Sequence, residues 1–243
     1  MILILASFDS LSPWMLLAVP GILMGLFAQS WRHFANRRYT RVHTERQTTG
    51  AQVARILLDR NGMANVELFE TTGAMVDHFD PSRRAIFLSP DVARGPSVAG
   101  VAIAAHEVGH AIQNRLDHRF FRFRMLIIGM TSVAASASAL IFILGLCVSD
   151  ELSRQLLVGS IVLYTVFFLL QIATLPVEYS ASSRARKELL RHGLINPGEQ
   201  RAVGRMLNAI AFTYVGTLLP ALIELIKTVG TAVGRRLLGR NRD

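Results

Sequence analysis

Apolar positions along this chain fall into two regimes. Long uncharged blocks alternate with stretches in which apolar residues recur at helical or strand spacing. Residues 125–148 run for 24 positions without a charge, and residues 156–177 run for 22 interrupted only by Gln171. Residues 11–31 are also uncharged but contain Pro13, Pro20 and Gly21; residues 207–226 are apolar except for Glu224 and contain Pro220. About 20 apolar residues cross the hydrocarbon core of a bilayer. The pattern therefore predicts about four transmembrane helices, the middle pair forming a hairpin turned at residues 149–155. A buried helix of a large soluble core is the alternative, but such helices rarely run so long without charge. Residues 11–31 resemble a signal peptide with Ala28-Gln29-Ser30 as a cleavage site. They lack a basic leader and are long for such a segment, so a retained membrane helix is expected.

Between the first and second blocks the periodicity changes. Thr49-Gly50-Ala51-Gln52 opens an amphipathic helix with Val53, Ile56 and Leu57 on one side and Asn61-Gly62 as its stop. Strand-like runs follow at residues 66–71, 74–79 and 84–88, the last two separated by the turn Asp80-Pro81-Ser82-Arg83. A small hairpin or three-stranded sheet is expected. Pro96-Ser97 then starts a second helix, whose residues 98–105 are small and apolar.

Composition agrees with a membrane protein: 51% of residues are hydrophobic and the mean hydropathy is +0.37. The formal charge of +9 is spread along the chain, without the basic stripe of a nucleic-acid binder. Of 26 basic residues, 14 lie in residues 32–124 and six in residues 178–206, whereas the hairpin turn has one arginine against Asp150 and Glu151. The positive-inside rule puts the two basic regions in the cytoplasm. Arg32, Arg37, Arg38, Arg122 and Arg124 would meet anionic lipid head groups at the membrane edge. Either the tail with Arg235, Arg236, Arg240 and Arg242 breaks the rule because the last apolar block crosses fully, or that block re-enters or lies partly along the interface. The lone Cys147 excludes a disulfide framework and a thiolate zinc knuckle.

The second helix carries His106-Glu107-Val108-Gly109-His110, an H-E-x-x-H motif. Histidines four apart share one helix face and can grip a single Zn²⁺, with Glu107 beside the first as general base toward a metal-activated water. Ordinary polar residues of a surface helix would be the bland alternative, but two histidines and a glutamate are costly in so apolar a run unless paired or metal-bound. Catalytic zinc takes three protein ligands. Leu116 stands where a metzincin would carry its third histidine, so that plan is excluded. Glu178, directly after the uncharged second arm of the hairpin, is the outstanding third ligand, since a carboxylate at that depth is a functional suspect. An interfacial anchor is its alternative role. Glu188 and Glu199 lie in Arg-rich stretches and read as solvated faces. Asp77, His78 and Asp80 read as strand and turn residues, with a second metal site as the alternative. An edge strand before the motif could pair with an extended peptide. For a developing oxyanion, Tyr214 is the first candidate donor, then Tyr179 and His192; Tyr214 also suits an interfacial aromatic.

Several segments together resemble the YugP-type neutral zinc metallopeptidases of bacterial membranes, over about residues 28–219. They are Asp77-His78-Phe79-Asp80-Pro81, Ile86-Phe87-Leu88-Ser89, Ala104-Ala105 through Ala111-Ile112-Gln113 around the motif, Leu175-Pro176-Val177-Glu178-Tyr179 with Ala181-Ser182, and Leu207-Asn208-Ala209 through Thr213-Tyr214-Val215. The plan is similar to that of HtpX-like and CAAX-prenyl membrane proteases, a gluzincin-like strand, motif helix and downstream glutamate. The resemblance implies one Zn²⁺ per chain on His106, His110 and Glu178, with Glu107 as base. It also implies a multi-pass protein of the bacterial inner membrane. Related families often carry an aspartate four residues after the glutamate ligand; Ser182 occupies that place here, as a partner of a zinc histidine or as a helix cap.

The expected fold is thus mainly α in the membrane with a small α+β zincin-like cytoplasmic region. Its parts are a transmembrane helix at 1–31, the zincin-like region at 32–124 and the hairpin at 125–177. A helical segment at 178–206 carries the third ligand, and an apolar helix with basic tail fills 207–243. The expected activity is a zinc-dependent endopeptidase acting on peptide or membrane-protein substrates at the cytoplasmic face, with no nucleic acid. The rivals are a non-catalytic, chaperone-like membrane assembly protein that keeps zinc for structure, and a hydrolase of non-peptide amides.

Overall fold

The structure is a computed structural model that describes residues 13–72, 77–116, 119–148 and 150–240. Its helices are α1 (Pro13–Thr40), α2 (Gly50–Arg60), α3 (Pro90–Arg94), α4 (Val98–Arg115), α5 (Arg119–Cys147), α6 (Asp150–Arg191) and α7 (Gln200–Arg240). Strands β1 (Glu67–Glu70), β2 (His78–Asp80) and β3 (Ala85–Leu88) form one sheet in the order β1-β3-β2. The chain divides into two compact units.

One unit comprises Ala28–Arg124 and Thr174–Tyr214. Helix α2 begins at the expected cap: Thr49 and Gln52 form a reciprocal capping box that satisfies two otherwise orphaned backbone donors. Its buried face is Val53, Ala54, Leu57 and Leu58, one position around from the face predicted with Ile56. Asp80 organises the predicted turn, its Oδ1 accepting from the N–H groups of Ser82 and Arg83 at 2.8 and 3.1 Å. β2 returns antiparallel along β3, whereas β1 joins the other side of β3 in parallel. β2 is therefore an edge strand. Residues 74–76 of the second expected strand lie outside the described residues; its described end is β2.

Helix α4 is the centre of this unit. Ser97 caps it, accepting from Gly100 N at 3.0 Å, and the chain after α1 is tied to its start by Val98 N donating to Val42 O at 2.8 Å. α4 packs against α2, α3, β2 and β3, and only Ile103, Asn114 and Arg115 escape burial. The H-E-x-x-H motif thus sits on a core helix, not on a surface one.

The second unit comprises Met1–Phe27, Met125–Ala173 and Val215–Asp243, and its described residues are helical apart from a bend at Val148. Ser153 Oγ donates to Gly145 O at 2.7 Å across the tip of the α5–α6 hairpin. Two helices among the described residues are long and apolar enough to cross a membrane, Glu151–Arg191 and Gln200–Gly230. That corrects the expectation of about four. Helix α1 becomes polar and basic from Arg32 onward, and the described apolar run of α5, Ser136–Cys147, is too short. Helix α7 continues through Pro220, 41 residues in all.

Candidate metal centre

Helical spacing places the His106 and His110 imidazoles one turn apart on α4, with ring centroids 4.7 Å apart and planes at 84°. Glu178 reaches them from α6. Its Oε2 lies 3.3 Å from His106 Nε2 and 3.5 Å from His110 Nε2, and its side chain has no exposure to solvent. The approach requires a very small residue on α4: a Cβ built on Gly109 would stand 2.5 Å from the Ala181 carbonyl oxygen, so the two backbones meet there. That contact is one turn beyond Glu178 and sets the depth to which its carboxylate enters.

The two distances discriminate between a metal site and a simple ion pair. A charge-assisted N–H···O bond closes to about 2.7–2.9 Å. Tetrahedral ligands held about 2.0–2.1 Å from zinc stand about 3.3–3.4 Å from one another. The carboxylate sits at the second spacing from both rings. All three ligand atoms lie within 4.8 Å of one another, and Oε2 is buried without a hydrogen-bond donor. The other ring nitrogens are engaged: His106 Nδ1 with Ser182 Oγ at 3.1 Å, and His110 Nδ1 with Gln113 Oε1 at 3.0 Å. Each Nε2 is thus left for the shared point. These donors, two imidazoles and a carboxylate, suit a divalent zinc ion.

Glu107 points to the sheet. Its Oε2 accepts from Phe79 N, on the outer side of β2, at 3.0 Å. Burial pushes its carboxyl up to about 7, with the Glu178 and Asp77 carboxylates adding to the rise and His106 and Arg124 opposing it. Phe121 shields the site, its ring 5.8 Å from that of His110 and 6.3 Å from that of Phe79. Tyr214 reaches the same region, where Arg124 donates to its hydroxyl oxygen.

Arg124 and Gln113 are the participants that sequence reasoning missed. Arg124 was expected among head groups. Instead it lies 2.7 Å from Glu178 Oε1, a close ion pair made off the axis of a hydrogen bond, with a side chain only 13% exposed. Gln113 stood inside the motif run, three residues past His110 and so on the same helix face, which was the available signal. Ser182 lies within α6 rather than at a cap, facing His106.

Other expected residues go elsewhere. Tyr179 is half exposed, and His192 pairs with Glu188 at 3.2 Å near the end of α6. Glu188 is not a solvated face: it is buried and accepts from Asn61 Nδ2 at 2.8 Å. Glu199 is half-buried and accepts from the N–H groups of Glu45 and Asn196, each at 2.8 Å. Asp77 accepts from Ser89 N and Oγ and is raised by burial, Asp80 organises its turn, and His78 stacks on Phe87 at 4.8 Å. Among the described residues, His106, His110 and Glu178 are the one group of three such side chains gathered closely enough for a metal.

Residues 14–232 match the profile of a family described as "Putative neutral zinc metallopeptidase". The chain belongs to this family. A curated member, "Putative membrane protease YugP" of Bacillus subtilis (strain 168), is 35% identical over 192 residues, covering 79% of this chain and 84% of that protein. No solved structure matches the chain. Family membership agrees with a peptide substrate, zinc and association with a membrane.

Proposed function

We propose that this metallopeptidase is a membrane-bound, zinc-dependent endopeptidase that cleaves peptide or membrane-protein substrates at the cytoplasmic face of the bacterial inner membrane. The observation that carries the reading is the convergence of Glu178 Oε2 on both Nε2 atoms at the edge length of a zinc tetrahedron, beside a buried, unligated Glu107. His106, His110 and Glu178 would hold one Zn²⁺. When bound, the ion would supply Lewis acidity toward the scissile carbonyl and toward water.

The chain's own residues do the rest. Glu107, fixed through one oxygen by Phe79 N, has its other oxygen to take a proton from the attacking water and pass it to the leaving amine. A carboxyl near 7 suits both halves of that exchange. The outer edge of β2, bordered by Glu107, is where an extended peptide would align through backbone hydrogen bonds. Tyr214, held by a hydrogen bond from Arg124, is the proposed donor to a developing oxyanion. Phe121 and Phe79 keep bulk water from the reacting groups. The three-ligand group, with Glu107 turned to the sheet instead of completing the shell, favours a catalytic over a purely structural metal. The cytoplasmic placement follows from the basic residues on the site-bearing segments.

The test is zinc content and cleavage together. The purified chain in detergent should contain one zinc per molecule and cut an unfolded membrane-protein substrate, with both lost on chelation and restored by zinc. Full zinc occupancy with no cleavage of any peptide would turn the assignment to a structural metal.

A further inference from the structure

Gln113 is completely buried and makes two hydrogen bonds whose directions can be deduced. Its Nε2 lies 2.8 Å from the backbone carbonyl oxygen of Val177 on α6. A carbonyl can only accept, so the group facing it must be the amide NH₂. The opposite end, Oε1, 3.0 Å from His110 Nδ1, therefore carries no proton, and Nδ1 must donate. A neutral imidazole has a single N–H, so the lone pair of His110 is on Nε2, toward Glu178. Turning the amide over would set two oxygens against each other at Val177.

His106 is held differently. Its Nδ1 meets the Ser182 hydroxyl at 3.1 Å, and a hydroxyl rotates to donate or accept as required. Ser182 therefore accommodates either tautomer of His106, whereas Gln113 dictates that of His110. The same amide is also anchored one residue before Glu178, so one side chain registers both the second and the third ligand.

We infer that Gln113 is a positioning residue: it reads the backbone of the Glu178 helix and, through that contact, commits His110 to the tautomer that can bind a metal. This rests on the metal reading proposed above. It assigns the assembly of the centre to a contact between α4 and α6 that exists before any ion enters.

The test uses the full chain in detergent, with ¹⁵N-labelled histidine, freed of metal and held at a pH where the imidazoles are neutral. His110 of the unaltered chain should carry its proton on Nδ1. In Gln113→Leu the proton should be shared between its nitrogens, while the tautomer of His106 is unchanged. Zinc affinity, measured by competition with a chelating dye, should fall about 10- to 100-fold in that variant. A wild-type His110 protonated on Nε2 overturns the inference without recourse to any variant, which covers the case in which Gln113→Leu does not fold. Gln113→Leu binding zinc within twofold of wild type overturns it as well. A wild-type chain that binds no zinc would instead remove the metal reading, leaving the tautomer to decide the role of Gln113.

Discussion

Replacing Glu107 with glutamine should change activity and stability in opposite directions. The glutamine oxygen can still accept from Phe79 N, now at 3.0 Å from the carboxylate, so the local geometry survives. What disappears is a site for the transferred proton, and loss of a positioned general base lowers the rate by about 10²–10⁴. The stability effect follows from burial. In the metal-free protein the Glu107 carboxyl stands near 7 against an ordinary 4.5. Because the folded value is the higher one, the folded state holds the proton more tightly across that window. Stability therefore falls as pH rises from about 4.5 to about 7 and levels off above it. The difference of roughly 2.5 units corresponds to about 3 kcal/mol. Glutamine has no charge to bury. Metal-free Glu107→Gln should thus match wild type near pH 4.5 and exceed it at pH 8 by up to about 3 kcal/mol. At about 2–4 °C per kcal/mol that is on the order of 6–12 °C in midpoint. Thermal unfolding of the two metal-free chains at both pH values gives the comparison, and peptide cleavage after zinc loading gives the other half. A stability difference independent of pH, or full cleavage by the variant, would refute the reasoning.

Glu178→Ala should lower the zinc found by elemental analysis and leave Arg124 as an uncompensated, largely buried cation, a loss of about 3–5 kcal/mol for breaking such a pair; unchanged zinc content removes Glu178 as a ligand. Gly109→Ala sets a Cβ 2.5 Å from the Ala181 carbonyl oxygen, so overpacking should cost about 1–3 kcal/mol and weaken zinc binding, read by denaturation and metal titration. Thr49→Ala removes half of a capping box remote from the centre: stability should fall by about 1 kcal/mol while the turnover of the folded fraction stays unchanged, which a denaturant midpoint and a specific-activity measurement would check.

Features that depend on neighbours in sequence were legible. The four-residue spacing of the histidines, the Thr49 and Ser97 caps and the Asp80 turn all act within a few residues, so their chemistry is written locally. Features that depend on a distant partner were not. Arg124 and Glu188 carry the composition of a surface, and only the folded chain supplies Glu178 to one and Asn61 to the other. Glu199 similarly finds the backbone of Glu45, 154 positions earlier. The parallel pairing of β1 with β3 was also hidden, because alternation identifies a strand but not its neighbour. Glu178 could be suspected because a carboxylate directly after a long apolar run needs a reason to be there. Its distance from the two rings needed the structure.

The close passage of Gly109 against Ala181 has a consequence for biosynthesis. The two histidines and Glu107 are translated some 70 residues before the carboxylate that completes their group. A nascent chain carries the motif through the whole interval without a finished trio. On the proposed reading, hydrolytic competence would arrive only when the later helix has been made and has docked, so the order of synthesis would work as a safety catch.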